Sequence, residues 1–310
     1  MSTPTRTISC YLIGSDTLLA QCGEGLLEKG FEIRGVITAS RRISDWAATK
    51  EIPTHATNED YVAILQSDDF DYLFAITHLA LIPDAAVETP RRLAVNFHDG
   101  PLPRYAGLNT PMWALLNGES EYAITWHEMT AGIDRGDILV QQPVSIATDE
   151  TALSLNTKCF AAALESFPIL LDQLTGSAVM RQPQNSDQRS YFGKFKRPSA
   201  ASVLDWRSSA TELDLVIRAL NVGGYSNFLG SAKIWTGPHA AIVTDAAVEP
   251  GSQGSCGEIL ELSEQKIRIH CADSVLAISG IVRLDGRETS VAEFAALAGL
   301  NVGDILPEPN

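Results

Sequence analysis

The chain has 310 residues, 45% of them hydrophobic and 20% charged, with a formal net charge of −15, which is length enough for two globular domains with a sizeable core. Residues 1–179 hold 11 Lys and Arg against 23 Asp and Glu, a net of −12, and residues 180–310 hold 12 against 15, a net of −3; neither half has the basic surplus a nucleic-acid partner requires. No uncharged apolar run reaches the roughly 18 residues of a bilayer span, no basic N-terminal segment leads into an apolar stretch, and five scattered cysteines (Cys10, Cys22, Cys159, Cys256, Cys271) without CxxC spacing read as reduced thiols of a cytoplasmic protein.

In chain order, residues 8–14 read as a buried strand and 16–29 as a helix stopped by Gly30. Residues 31–38 follow as a strand, 58–66 as a helix and 72–76 as a third strand. A short segment near 83–88 leads into the strand ending at Asn96. This β-α-β-α-β order predicts an α/β fold, a doubly wound, Rossmann-like parallel sheet. A helix over 111–116, a hairpin of 122–129 with 138–142, and a long helix over 150–174 come next. Residues 181–205 are polar and carry Pro183 and Pro198, the composition of a linker. Ser209-x-x-Glu212 predicts a capping box for a helix through Leu220. The short apolar runs 240–243, 258–262, 266–271, 275–278 and 281–284, closed by a helix at 290–298, predict a small β-barrel. The expected division is a catalytic domain over 1–180, a linker over 181–205 and a C-terminal domain over 206–310.

The chemistry concentrates where the fourth strand runs into a Gly/Pro-rich loop, Val95-Asn96-Phe97-His98-Asp99-Gly100-Pro101-Leu102-Pro103. Residues i and i+2 of a strand point the same way, so Asn96 and His98 can converge on one small volume. An amide donor beside an imidazole at the carboxyl end of a parallel strand suits an oxyanion and a proton transfer. Asp134, in the turn Gly132-Ile133-Asp134-Arg135-Gly136, can face His98 if the later hairpin joins the same sheet. Together the three would serve attack by an amine on an acyl carbon, with Asp134 taking the proton the amine loses. A metal site of His98, Asp99 and His127 lacks HxH or HExxH spacing. A dinucleotide site at Gly14-Ser15-Asp16-Thr17-Leu18 lacks the glycines that admit a pyrophosphate.

The ordered set Asn96-x-His98, Leu102-Pro103-Arg104-Tyr105-x-Gly107, Pro111, Trp113, Gly118, Thr125-x-His127-x-Met129 and Gly132-Ile133-Asp134-x-Gly136-Asp137-Ile138-Leu139-x-Gln141 resembles the folate-dependent formyltransferases. That family includes glycinamide ribonucleotide, methionyl-tRNA and amino-sugar formyltransferases. Asp205-Trp206, Ile217-Arg218-Ala219-Leu220, Gly257-Glu258-Ile259 and Leu300-x-Val302-Gly303-Asp304-x-Leu306 resemble the OB-like C-terminal domain of the methionyl-tRNA and sugar enzymes. The resemblance implies a formyltransferase fold and an OB-like barrel. It implies Asn96, His98 and Asp134 as the catalytic triad and 10-formyltetrahydrofolate as co-substrate, with no metal. It also implies a pterin lying against Ala80, Leu81 and Ile82 and against Thr130, Ala131, Gly132 and Ile133, with Leu108 lining the approach. Two departures stand out: His78-Leu79 where many relatives have an aromatic-glycine pair, and Gly100-Pro101-Leu102-Pro103, preceded by Asp99, where many have Ser-Leu-Leu-Pro. The run from His98 to Asn109, with Trp126-His127 and residues 152–159, is most similar to formyltransferase segments of peptide-synthetase assembly lines. Its implied acceptor is the primary amine of a small metabolite or a carrier-tethered amino acid. A sugar-nucleotide acceptor is the alternative within the family, and a non-catalytic folate-binding or scaffold protein the alternative of another class.

Overall fold

The computed structural model describes residues 6–176, 178–225, 227–251 and 253–309. Two interleaved compact units emerge: Met1–Thr110 with Glu121–Ser145 and Asn156–Gly193, and Pro111–Ser120 with Ile146–Leu155 and Lys194–Asn310. The stretch expected as a linker, 181–205, is thus divided between them, because its first half hydrogen-bonds into the first unit.

The first unit is built on β1 (Ser9–Gly14), β2 (Glu32–Ile37), β3 (Thr54–His55), β4 (Tyr72–Ile76), β5 (Leu93–His98), and, after the short β6 (Ala106–Gly107), β7 (Glu121–Glu128) and β8 (Ile138–Ser145). Seven of these form one sheet in the order β3-β2-β1-β4-β5-β7-β8. The first five members run parallel, β7 is antiparallel to β5, and β8 to β7. The helices are α1 (Thr17–Glu28), α2 (Arg41–Thr49), α3 (Tyr61–Gln66), α4 (Asp84–Val87), α5 (Thr110–Leu116) and α6 (Ala152–Thr175), and a two-residue β9 (Tyr191–Phe192) pairs parallel with β6. Helix α2 has no counterpart in the periodicity reading. Its sequence is mostly polar, and it is held by tertiary packing: a Cβ on Gly23 would lie 2.3 Å from the Trp46 ring, so only glycine lets α1 and Trp46 approach.

Strand alternation sorts the sheet into two faces. On one, Tyr11, Ile13, Leu73, Ala75 and Ala94 form a core with Leu65 of the α3 segment and Ala86 of α4. On the other, Phe74 and Trp126 pack on Phe167 of α6 at ring-centroid distances of 6.1 and 5.0 Å, and Phe97 on Trp126 at 5.2 Å. Burying each such ring contributes about 1.5–3 kcal/mol. Ala94, Asn96 and His98 share the first face, which therefore carries the polar pair beyond its apolar core.

The second unit holds α7 (Ala210–Ala219), whose capping box of Ser209 and Glu212 is present as expected, and α8 (Val291–Ala298), capped by Ser290 and Glu293 and stopped by Gly299 at φ +69°. Its strands β10 (Lys233–Trp235), β11 (Ala240–Glu249), β12 (Ile259–Leu262), β13 (Ile267–His270) and β14 (Val275–Arg283) form an antiparallel half-barrel sheet in the order β10-β11-β14-β13-β12. The two strands expected over 275–284 are one, β14, interrupted by a register shift opposite Asp245. Gly280 marks that bulge: a Cβ there would meet Thr244 Oγ1 at 2.6 Å.

Three consecutive non-glycine residues, Ala200, Ala201 and Ser202, have positive φ (47°, 51° and 64°). Such a turn is strained for L-residues; Val203 N donates to Ala200 O, and the Lys233 ammonium donates to Ala201 O at 2.6 Å and Ser231 O at 2.9 Å. Ala201→Gly is therefore expected to stabilise the protein by about 0.5–1 kcal/mol, the relief of strain less the extra unfolded-state entropy. The midpoint of urea unfolding, compared with wild type, measures it. Among the described residues no helix is long and apolar enough to cross a membrane.

Candidate active site

Asn96 and His98 end β5, and antiparallel pairing sets Asn96 opposite His127 and His98 opposite Thr125 of β7. Directly opposed residues share a face, so the imidazole of His127 joins the pair. The register of β7 on β8 shifts between Trp126 and His127, with the extra residue, Leu139, on β8, while the pairing of β7 with β5 stays regular through His127. That loop, 129–137, brings Asp134 over the same face. Its fold depends on close backbone approach: a Cβ on Gly136 would lie 1.8 Å from Glu128 O.

Four side chains meet here. His98 Nδ1 lies 3.8 Å from Asp134 Oδ2, and His127 Nε2 lies 3.5 Å from Asp134 Oδ1. Asn96 Nδ2 is 3.0 Å from His127 Nε2. Carbonyl partners assign the imidazole protons: His98 Nε2 donates to Tyr105 O at 2.7 Å, and His127 Nδ1 to Glu128 O at 2.9 Å. In its neutral form His127 then accepts from the Asn96 amide. The Nδ1 face of His98 has no direct hydrogen bond to Asp134, since 3.8 Å is too long. Gly107 N donates to Asp134 Oδ2 at 2.8 Å. Burial by itself would push the Asp134 carboxyl up. The charge of His98, the hydrogen bond and charge of His127 and the Gly107 N–H outweigh it and hold the carboxyl well below the ordinary range.

Of the residues expected to bind the cofactor, Thr130 and Ala131 line a cavity of about 370 Å³ together with Asp84, Val87, Glu88, Ala94, Glu128 and Met129, among others. Ile82 packs against the neighbouring core, while Ala80 and Leu81 are exposed on the segment before α4. Gly132, at φ +99°, and Ile133 carry the loop on toward Asp134. Leu108 is fixed by its N–H donating to Phe192 O at 2.9 Å. Ala94 is the link: it lines the cavity and stands two residues before Asn96 and four before His98 on one face of β5.

Asp99 does not join the group. Its side chain accepts from Thr110 Oγ1 at 3.0 Å and its carbonyl from Tyr122 Oη at 2.7 Å. Among the described residues no group of three His, Cys, Asp or Glu side chains is arranged to hold a metal ion. The site residues that sequence reasoning missed are His127 as a member of the cluster, and Gln184 and Arg189. Strand parity with Thr125 and Met129 could have found His127; the other two lie in an aperiodic segment with no such signal.

A formyl transferase domain matches residues 34–170, and a formyl transferase C-terminal domain matches residues 198–298. The chain belongs to the folate-dependent formyltransferase family. Among solved structures, this formyltransferase is similar to an N-formyltransferase from Helicobacter canadensis in complex with folinic acid and dTDP-3-aminofucose, at 18% identity and a TM-score of 0.72, covering 89% of this chain and 100% of that one. The sugar 3-N-formyltransferase WlaRD, studied with dTDP and 5-N-formyltetrahydrofolate, matches at 19% identity and 0.72, covering 90% and 99%. HypX from Aquifex aeolicus, in complex with tetrahydrofolic acid, matches at 16% and 0.66, with 96% of this chain spanning 48% of that one. These likenesses establish the fold. The segment carrying Gln184 and Arg189 falls between the two matched regions of the formyltransferase.

Proposed function

We propose that this formyltransferase moves a formyl group from 10-formyltetrahydrofolate to the primary amine of a small metabolite, free or carrier-tethered. The reading is carried by one observation: Asn96, His98, His127 and Asp134 meet at the carboxyl end of β5, the strand whose first residues, Leu93 and Ala94, line the cavity shared with Thr130 and Ala131. A pterin is a flat ring whose edge presents donors and acceptors, suited to backbone groups of the 128–131 segment and to the carboxylates of Asp84, Glu88 and Glu128. The donor supplies an electrophilic formyl carbon. Asn96, through the second N–H of its amide, and His98, as an imidazolium that carries a proton on Nδ1 besides the one Nε2 gives to Tyr105 O, would hold the oxyanion that forms as the amine attacks. Asp134, directly or through a water, would take the proton the amine loses, and that proton returns to the departing folate nitrogen. A carboxylate held so low is a weak base at rest. As the oxyanion draws on the charge of His98, less of that charge acts on Asp134, and its basicity rises when the proton must be accepted.

A sugar-nucleotide acceptor is the second reading, favoured by the dTDP-3-aminofucose in the Helicobacter canadensis structure. Opposing it, the helix N-terminus at the β1 exit, where an α/β fold cradles phosphate, is occupied by the chain itself. Asp16 caps α1, accepting from Thr17 N at 2.6 Å, and a second anion there would be repelled. All five cysteines are free, Cys10, Cys22, Cys159 and Cys271 buried and Cys256 exposed, which fits a reducing compartment, and we propose the cytoplasm.

The test offers 10-formyltetrahydrofolate with a panel of free amino acids, an aminoacyl carrier and a dTDP-amino sugar, following release of tetrahydrofolate. Turnover with the first two classes supports the proposal, and turnover with the nucleotide alone selects the second reading. Folate binding without turnover in every arm would leave the scaffold reading.

A further inference from the structure

The segment 182–192 leaves α6 and crosses two loops of the first unit. Gln182 exchanges both backbone hydrogen bonds with Ile138 at 2.9 Å. Gln184 Nε2 donates to Asp134 O at 3.1 Å and Gly136 O at 2.6 Å. Arg189 spreads its guanidinium fork over consecutive carbonyls, Nη1 to Asp134 O at 3.0 Å and Nη2 to Ile133 O at 2.8 Å. Beyond it, Ser190 Oγ accepts from Tyr105 N at 2.8 Å, and Phe192 stacks on Tyr105 with ring centroids 5.2 Å apart and planes 6° from parallel. One side of the strap therefore holds the loop of Gly107, whose N–H donates to the Asp134 carboxylate. Its other side holds the backbone of Asp134 itself.

Asp134 needs such holding. Its φ of +49° is left-handed, a conformation that aspartate tolerates better than most L-residues but that still has to be held, and its side chain is 11% exposed in a loop whose Ala131 and Gly132 are open to solvent. Any change of this backbone conformation moves the Asp134 Cβ, and with it the carboxylate, relative to both imidazoles. We infer that Arg189 and Gln184 are positioning residues that fix the left-handed backbone of Asp134, and so set its carboxylate between His98 and His127. They reach the site only through backbone carbonyls, so they act on geometry and not on the reacting atoms. The inference rests on the proposed role of Asp134, yet the clamp can be tested apart from that role.

The experiment uses the full chain as wild type, Arg189→Ala, Arg189→Lys, Gln184→Ala, Asp134→Asn and the double variant Asp134→Asn/Arg189→Ala. Thermal unfolding checks that each is folded. Carbon-13 NMR follows the Asp134 carboxyl, identified by its loss in Asp134→Asn, and kinetics use whichever amine the panel yields. In Arg189→Ala the Asp134 titration should rise toward the ordinary carboxylate range, and kcat should fall about 10–100-fold with KM for the folate within about twofold. Arg189→Lys, which can replace one bond of the fork, should recover part of both effects. In the Asp134→Asn background, Arg189→Ala should cost nothing further. A folded Arg189→Ala with an unmoved titration overturns the inference, as does an equal loss of kcat in the Asp134→Asn background. If Arg189→Ala does not fold, Gln184→Ala carries the same two readouts. If no amine is turned over, the proposed activity fails while the carboxyl titration still decides the clamp.

Discussion

Asp134→Asn will lower kcat by about 10²–10⁴, the range for loss of a general acid–base group, while folate affinity stays near wild type. Asparagine keeps the shape of aspartate and an oxygen for the Gly107 N–H, so the loop and the adjacent cavity are preserved. Lost are the negative charge that faces His98 and His127 and the capacity to accept a proton. Steady-state kinetics together with binding of 5-formyltetrahydrofolate separate the two effects, and a variant with wild-type kcat would sink the assignment. The same pair of proteins has a signature in stability. The Asp134 carboxyl lies below the ordinary range in the folded state. The stabilisation from its ionised form is therefore complete above the unfolded value, about 3.9, and fades as pH falls toward the folded value. The stability of wild type relative to Asp134→Asn should shrink as pH falls below about 4, as denaturant unfolding across that range will measure.

Gly107→Ala should be as damaging, for a reason of geometry and not of charge. Gly107 has φ +105°, and a Cβ there would stand 2.2 Å from Phe192 O and 2.8 Å from the carbonyl carbon. Neither is the end of a flexible side chain, so β6 and β9 must part, and with them the N–H that holds Asp134. Strain and clash together should cost about 3 kcal/mol or more, and displacement of the carboxylate about 100-fold in kcat. Gly118 is the matched control, with φ +67° and nothing within 4 Å of its added Cβ. Gly118→Ala should cost only the left-handed penalty, about 1–2 kcal/mol, and leave kcat unchanged. Equal effects of the two substitutions, by urea unfolding and kinetics, would show that close approach at Gly107 is unimportant.

The sheet was legible because its strands are apolar runs between glycine stops and polar caps, as at Gly30 and Ser209. Asn96 and His98 were legible as i, i+2 neighbours at a strand end, and the 3.8 Å approach of Asp134 follows from the hairpin register once β7 is known to pair with β5. Helix α2 was hidden because its burial depends on a missing side chain at Gly23, which is invisible to periodicity. A bulge concealed that 275–283 is a single strand. His127 became visible only once β7 was known to pair with β5, which sets it opposite Asn96. The strap was the hardest to see. Its polarity, which reads as a linker, is the chemistry of side chains that satisfy another loop's carbonyls.

That strap follows α6 in sequence and is continuous with the chain entering the half-barrel unit, yet its hydrogen bonds described above all terminate on the sheet-bearing unit. A chimera built by exchanging C-terminal halves between relatives should therefore be spliced after Gly193. A seam placed at the end of α6 would graft a foreign arginine and glutamine onto a resident turn, producing proteins that fold, load their one-carbon donor and turn over slowly.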